Sequence, residues 1–155
     1  MKNRKNLHDY SLLLVVLAAL ELINLVAMAI GAVVNGTLAD ALSKVAPNIK
    51  GATEIVLMVF AALAVLLILA EAMIGFKGLK ASRQPSAAKG YITAAKVFFV
   101  LSVLGTVSAV AGLFDKPVDM FDAIITLVNV VLDVVVYFLF IKAAKAVRAE
   151  FMAEQ

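Results

Sequence analysis

The sequence predicts an all-α integral membrane protein with four transmembrane helices in a compact bundle. The chain is 64% hydrophobic and 16% charged, whereas a soluble domain is nearer half apolar and a quarter charged. Its mean hydropathy is +1.03. The chain also contains four apolar stretches of about 20 residues, the length at which a helix crosses a bilayer. We therefore expect residues 1–155 to form a single membrane domain with no separate soluble part.

The first predicted span covers residues 11–34 and follows a basic N-terminal segment. Its apolar run is much longer than the hydrophobic core of a signal peptide, which has about 7–15 residues. Glu21 and Asn24 also interrupt the run. These features predict a retained transmembrane span and not a cleaved leader.

The connection after the first span contains Gly36, Pro47 and Gly51, which favour breaks in a helix. Between them, apolar residues recur at helical spacing over residues 38–45, with polar residues in the intervening positions. This pattern is typical of a helix that lies on a membrane surface. We therefore expect a short extracytoplasmic surface helix between spans 1 and 2, with an irregular loop as the alternative.

The remaining spans are predicted over residues 55–76, 91–114 and 120–141. A basic connection that contains Pro85 separates the second span from the third. The third span carries a stripe of small residues, and small residues allow membrane helices to approach closely. The stripe consists of Ser102, Gly105, Ala109 and Gly112.

The distribution of basic residues predicts the orientation in the membrane. Ten lie near span ends on one side, namely Lys2, Arg4, Lys5, Lys77, Lys80, Arg83, Lys89, Lys142, Lys145 and Arg148. Only Lys44, Lys50 and Lys116 lie near the ends on the other side. Cytoplasmic connections carry the excess of Lys and Arg. We therefore expect a multi-pass protein of the plasma (cytoplasmic) membrane with both termini in the cytoplasm.

Polar residues occupy one face of the fourth span. Asp122, Thr126, Asn129 and Asp133 follow one another at steps of four, three and four residues. A carboxylate at the bilayer centre costs about 2.5–3.5 kcal/mol on insertion scales. Asp133 is therefore expected to face the protein interior, a wet cavity or a partner.

The first span offers counterparts at similar depth in Glu21 and Asn24, and its polar face continues to Asn35. These positions predict a polar seam between spans 1 and 4. Its deep part is a candidate proton or cation site formed by Glu21, Asn24, Asn129 and Asp133. Its outer part is a polar access face formed by Asn35, Asp122 and Thr126.

Three roles for this seam remain open. The polar residues can simply bond neighbouring helices, or the acids can pair with a basic residue in another subunit's membrane helix. Alternatively, two carboxylates without a cation cannot both stay ionised in a low dielectric, which is a property that proton-coupled or cation-coupled transport uses. We expect an accessory or structural assembly subunit, with a small ion-coupled transporter acting as an oligomer as the alternative. In the alternative, Glu21 and Asp133 are the coupling carboxylates.

Two segments at the cytoplasmic ends of predicted spans 2 and 4 share the frame K-x-x-K-A-x-R. Their basic residues are expected to face anionic lipid headgroups, although topology alone also explains them. They are Lys77, Lys80 and Arg83 in one segment and Lys142, Lys145 and Arg148 in the other. Near the same boundary, Glu71 and Lys96 are predicted to form an interfacial salt bridge.

Composition argues against several other classes of function. The chain has no cysteine and a single histidine, His8, so no thiolate or histidine metal site and no cofactor is expected. No nucleophile and base occur together at membrane depth, so we do not expect an enzyme. The positive charge lies beside apolar spans, which argues against nucleic-acid binding. The expected partners are the lipid bilayer and a homo-oligomer or a larger membrane complex.

Four short spans with a glutamate in the first span resemble the architecture of the small multidrug-resistance exporters. The likeness is confined to architecture. This chain has no tryptophan, a long first outer connection and a second deep acid, Asp133, in its last span. We therefore do not assign it to that family.

A reporter that is active only in the cytoplasm tests the predicted topology. Fusions after Gln155 or near Ser86 are expected to give signal, and fusions near Val45 or Pro117 are not. The reason is that ten basic residues near span ends lie on the side of the termini and only three lie on the opposite side. Reporter activity and expression of each fusion are the measurements. Cytoplasmic signal from the Val45 fusion would show that the number of spans is wrong.

Overall fold

The computed structural model describes residues 2–34, 52–85, 90–115 and 120–154, and nearly all of these residues are helical. The described chain forms four helices, α1 (Lys2–Val34), α2 (Ala52–Arg83), α3 (Tyr91–Asp115) and α4 (Met120–Ala153). Each contains a segment long and apolar enough to cross a membrane. The prediction of an all-helical chain with four such helices is therefore confirmed. The predicted surface helix and Asn35 lie outside the described residues.

Three helices extend well beyond the apolar runs that mark the predicted spans. The first begins at Lys2 instead of residue 11, the second ends at Arg83 instead of residue 76, and the fourth ends at Ala153 instead of residue 141. The extensions are polar but rich in Ala, Lys, Leu and Glu, which favour helices. Hydropathy marks where a span becomes polar, whereas helical hydrogen bonding continues past that point.

Contacts within the chain divide it into two compact units. The first unit comprises Met1–Val15 and Met73–Gln155, and the second comprises Val16–Ala72. The first unit contains most of the buried side chains, which lie near the helix ends that hold the termini. Its largest fully buried side chains are Tyr137, Phe140, Leu7, Leu14, Val136 and Val147.

Aromatic pairs join α3 to α4 in the first unit. Tyr91 meets Phe140 edge to face with ring centroids 5.9 Å apart, and Phe98 stacks on Tyr137 at 6.0 Å. Such pairs contribute about 0.5–1.5 kcal/mol beyond the area they bury. They hold the first turns of α3 against the middle of α4.

Polar contacts join the first turn of α1 to the last turns of α4. The Asn3 amide Nδ2 donates a hydrogen bond of 2.6 Å to Glu150 Oε1. An ion pair of 3.8 Å between Arg4 and Glu154 is largely exposed and therefore adds little stability. These contacts bring the two ends of the chain to the same end of the first unit.

Two glycines on α2 allow other helices to pack closely against it. A Cβ atom on Gly75 would lie 2.7 Å from Val15 Cγ2, and one on Gly78 would lie 2.6 Å from Phe140 Cε2. The Gly78 position also faces Ser11 Oγ. Since Ser11 and Val15 belong to α1 and Phe140 to α4, the absence of side chains here lets three helices meet.

The small-residue stripe on α3 contains Gly105, which, unlike Gly75 and Gly78, has open space around it. No described atom lies within 4 Å of the place where a Cβ on Gly105 would stand. The side chains of Ala109 and Gly112 lie outside the described set. The close helix contacts thus form at glycines of α2, and Gly105 does not mark one.

Large apolar side chains are exposed on all four helices. Examples are Ile23 at 65%, Leu66 at 61%, Leu104 at 60% and Val128 at 59% exposure. In water such continuous apolar surface is unfavourable and marks an interaction site. Hydrocarbon chains of lipids suit it, because they are as apolar as these side chains.

Gly78→Ala is expected to lower the free energy of unfolding by about 1–3 kcal/mol, the usual range for overpacking a core. The physical reason is the added methyl group against Phe140 and Ser11. Gly105→Ala is the matched control, because it adds the same group to a helix in open space. Thermal stability in detergent is the measurement, and equal stability of the two variants would contradict the close packing at Gly78.

Candidate functional site

Two glutamates meet in the second unit. The side chains of Glu21 on α1 and Glu71 on α2 share a hydrogen bond. Glu71 is only 5% exposed, and Glu21 is half-buried. Both lie inside the apolar segments long enough to cross a membrane. We call these two residues the carboxyl pair.

The chemistry of the carboxyl pair follows from its hydrogen bond. An ionised carboxylate has acceptor atoms only, so two carboxyl groups can bond each other only when one of them carries a proton. The proton then belongs to the pair and not to either residue alone. The arrangement can therefore hold a proton between two helices.

The surroundings of the pair are apolar. On α1, the neighbouring Leu20 and Ile23 expose 57% and 65% of their surface, and on α2 Met73 exposes 57%. Ala18, one turn before Glu21, is buried. An unshared charge on such an apolar stretch of helix is costly, and a shared proton removes the charge of one of the two carboxyl groups.

The predicted deep site is distributed over both units. Glu21 and Asn24 belong to the second unit, and Asn129 and Asp133 belong to the first. Asp133 is half-buried, whereas Asn24 and Asn129 are exposed. The seam between spans 1 and 4 stays a prediction. On the polar access face, Asn35 and the side chains of Asp122 and Thr126 lie outside the described residues.

Sequence reasoning missed Glu71 as a partner of Glu21. It placed Glu71 near the membrane boundary, where its side chain would reach Lys96 or the headgroups. A usable signal was present, because consecutive elements of a chain are usually neighbours in space and Glu71 is the only acid in the middle of α2. The predicted salt bridge between Glu71 and Lys96 stays a prediction, since they belong to different units.

The six predicted headgroup residues are all exposed: Lys77, Lys80, Arg83, Lys142, Lys145 and Arg148. Most of the residues between them are buried. On α2, Gly78, Ala81 and Ser82 are buried, and on α4 Ala143 and Val147 are buried. Each segment is therefore a helix with a packed small face and a basic outer face.

Two basic pockets lie on the first unit. A cavity of about 430 Å³ between α3 and α4 is lined by Lys96, Phe99, Phe138, Ile141, Lys142 and Lys145. A second, of about 390 Å³, is lined by Leu79, Lys80, Arg83 and Gln84 at the end of α2. The first combines three positive charges with an aromatic wall.

Among the described residues, no group of three or more His, Cys, Asp or Glu side chains is arranged to hold a metal ion. Comparison with known proteins adds no relative: no protein-family model, no curated protein and no solved structure matches this chain.

Proposed function

We propose that this chain is a multi-pass protein of the plasma membrane, with both termini in the cytoplasm, that serves as an accessory or assembly subunit of a larger membrane complex. The observation that carries the proposal is the exposure of two side-chain amides within the apolar segments. Asn24 on α1 and Asn129 on α4 are both exposed, and both lie in segments long enough to span a bilayer.

An exposed amide is unfavourable in hydrocarbon. Each asparagine amide has two N–H donors and a carbonyl acceptor, and lipid tails offer none of the matching groups. In membrane proteins such amides bond across to neighbouring helices. Membrane helices of a different subunit, presenting amide or hydroxyl groups, would satisfy each of the two asparagines.

The packing of the first unit supports a scaffold role. Its buried core lies at the end that holds the termini, while large apolar side chains remain exposed on every helix. The first unit is thus held together by its own core, and its helices keep exposed apolar faces. Such faces suit both lipid and partner helices.

Replacing the exposed amides tests the subunit proposal. Asn24→Leu and Asn129→Leu are expected to weaken the association with the partner several-fold, because interhelical hydrogen bonds in membranes contribute about 0.6–2 kcal/mol. The measurements are the mass of the purified complex in mild detergent and the stoichiometry of its components. Ile30→Leu is the control, since Ile30 is 59% exposed on the same helix as Asn24 and has no polar group.

A stoichiometric foreign subunit that is lost in the asparagine variants and kept in the control supports the proposal. A monomer, or a homo-oligomer unaffected by either asparagine, contradicts it. A homo-oligomer that depends on the asparagines would make the partner a second copy of this chain and would favour the alternative function.

That alternative is a small proton- or cation-coupled transporter that acts as an oligomer. The specific observation in its favour is the hydrogen bond between Glu21 and Glu71. A shared proton at membrane depth is what a coupling site needs, and the pair contains no basic group of its own. In this alternative Glu71 is a coupling residue together with Glu21. Asp133 keeps its predicted role as a coupling carboxylate.

A hydrophobic carbodiimide that modifies protonated carboxyl groups in membranes tests the carboxyl pair. Wild-type protein is expected to be modified at Glu21 or Glu71 at neutral pH, because their hydrogen bond requires a proton. Glu71→Gln supplies an amide donor in place of the shared proton, so modification of Glu21 should fall several-fold. Peptide mass spectrometry measures each site.

Glu154 provides the control for this experiment. It is exposed and pairs with Arg4, so Glu154→Gln should leave modification of the carboxyl pair unchanged. Modification of Glu21 that is equally strong in Glu71→Gln would contradict a proton shared between the two glutamates.

A further inference from the structure

The cavity between α3 and α4 has the form of a binding groove. We call it the lysine groove. It is lined by Lys96 and Phe99 of α3 and by Phe138, Ile141, Lys142 and Lys145 of α4. All six residues belong to the first unit, and the cavity measures about 430 Å³.

Helical spacing explains why these side chains converge. Residues 141, 142 and 145 follow residue 138 by three, four and seven positions, which places all four on one face of α4, and residues 96 and 99 lie one turn apart on α3. Ala95 and Ala144, next to Lys96 and Lys145 in the chain, are fully buried. Small buried residues let the two helices pack closely, so the lysines beside them share one opening.

Every charged side chain that lines the groove, among the described residues, is a lysine. The exposed ion pair between Arg4 and Glu154 lies elsewhere and involves none of the three lysines. Like charges that share an opening repel one another, and the repulsion is greater beside apolar side chains than in water. An anion among Lys96, Lys142 and Lys145 would turn this repulsion into attraction.

The wall of the groove is apolar and continues beyond it. Phe138 exposes 56% of its surface, and Phe99 and Ile141 are half-buried. Further along α4, away from Lys142, Val135 and Val131 expose 45% and 53%. A small free anion would leave this apolar track uncovered, whereas an acyl chain would cover it. The groove thus matches a molecule with an anionic head and a hydrocarbon tail.

We propose that the lysine groove is a specific site for an anionic phospholipid whose headgroup carries two or more negative charges. Lys96, Lys142 and Lys145 contact the headgroup phosphate, and an acyl chain lies against Phe99 and Phe138. Three lysines from two helices match more than one negative charge. The assignment goes beyond general contact of basic residues with headgroups, because it places Lys96 and two aromatic rings in one site.

The absence of tryptophan from the chain makes a site-specific test possible. Phe138→Trp places a single fluorophore in the groove of the full chain, reconstituted in phosphatidylcholine vesicles. Quenching is measured with phosphatidic acid that has brominated acyl chains, and with phosphatidylcholine brominated in the same way. Phe76→Trp is the control, because Phe76 on α2 is exposed to 58%, close to the 56% of Phe138, and lies outside the groove.

In the Phe138→Trp variant, brominated phosphatidic acid is expected to give the same quenching as brominated phosphatidylcholine at a mole fraction about fivefold lower. This ratio corresponds to the binding free energy of roughly one lysine near a membrane surface. The ratio is larger if all three lysines contribute. The Phe76→Trp variant should show a weaker preference, because Lys77 and Lys80 near it attract anionic headgroups only as separate surface charges. Added inorganic phosphate at millimolar concentration should leave the quenching unchanged, since it lacks an acyl chain.

Charge variants assign the preference to the three lysines. In the Phe138→Trp background, replacement of Lys96, Lys142 and Lys145 by Gln should abolish the preference for phosphatidic acid. Replacement of the same three lysines by Arg should retain this preference. Replacement of the exposed Lys2, Lys5 and Lys77 by Gln removes the same charge elsewhere and should leave it intact. All six lysines are exposed, so the fold tolerates these changes.

Equal quenching by the two lipids would overturn the proposal. So would an equal preference in the Phe76→Trp variant, or a preference that survives the replacement of the three groove lysines by Gln. Displacement of the lipid by inorganic phosphate would show that the groove takes a free anion.

Discussion

The contact of Phe140 with its neighbours organises the first unit. Its ring lies where a Cβ on Gly78 would clash, and its edge-to-face contact with Tyr91 joins α4 to α3. Ser11 of α1 faces the same glycine. One buried ring and one missing side chain therefore bring four helices together. Close packing of this kind is what associates apolar helices when the surroundings are equally apolar.

This packing explains how polar extensions can belong to a largely apolar protein. The helices continue past their apolar runs, and their small residues face inward while Lys and Arg face outward. The buried end thus has a basic exterior and a small-residue interior. Outside this packed region, large apolar side chains remain exposed on all four helices.

Polar groups within the apolar segments meet different surroundings. The carboxyl groups of Glu21 and Glu71 bond each other, while the amides of Asn24 and Asn129 are exposed. A carboxyl pair can satisfy itself by sharing a proton, because one group becomes a donor. An amide on an exposed face needs another helix. The two arrangements underlie the two functions proposed for this chain.

The sequence by itself determined the all-helical architecture and the presence of four helices long and apolar enough to cross a membrane. It also located, to within a few residues, the helix ends that border the connections after spans 1 and 3. These properties depend on composition and local hydrogen bonding, which each segment carries with it. The residues of the candidate site were found in part. Glu21 was recognised because a carboxylate interrupts an apolar run. Glu71 was noted only as a predicted partner of Lys96 and not as the partner of Glu21.

Only the tertiary structure decided which side chains meet. Whether Glu21 contacts Glu71, and whether Lys96 shares an opening with Lys142 and Lys145, depends on how far each helix rotates and slides against its neighbour. The sequence shows which residues share a helix face, but it does not show which face lies opposite. Close contacts at Gly75 and Gly78, and open space at Gly105, set that arrangement through packing between segments distant in the chain.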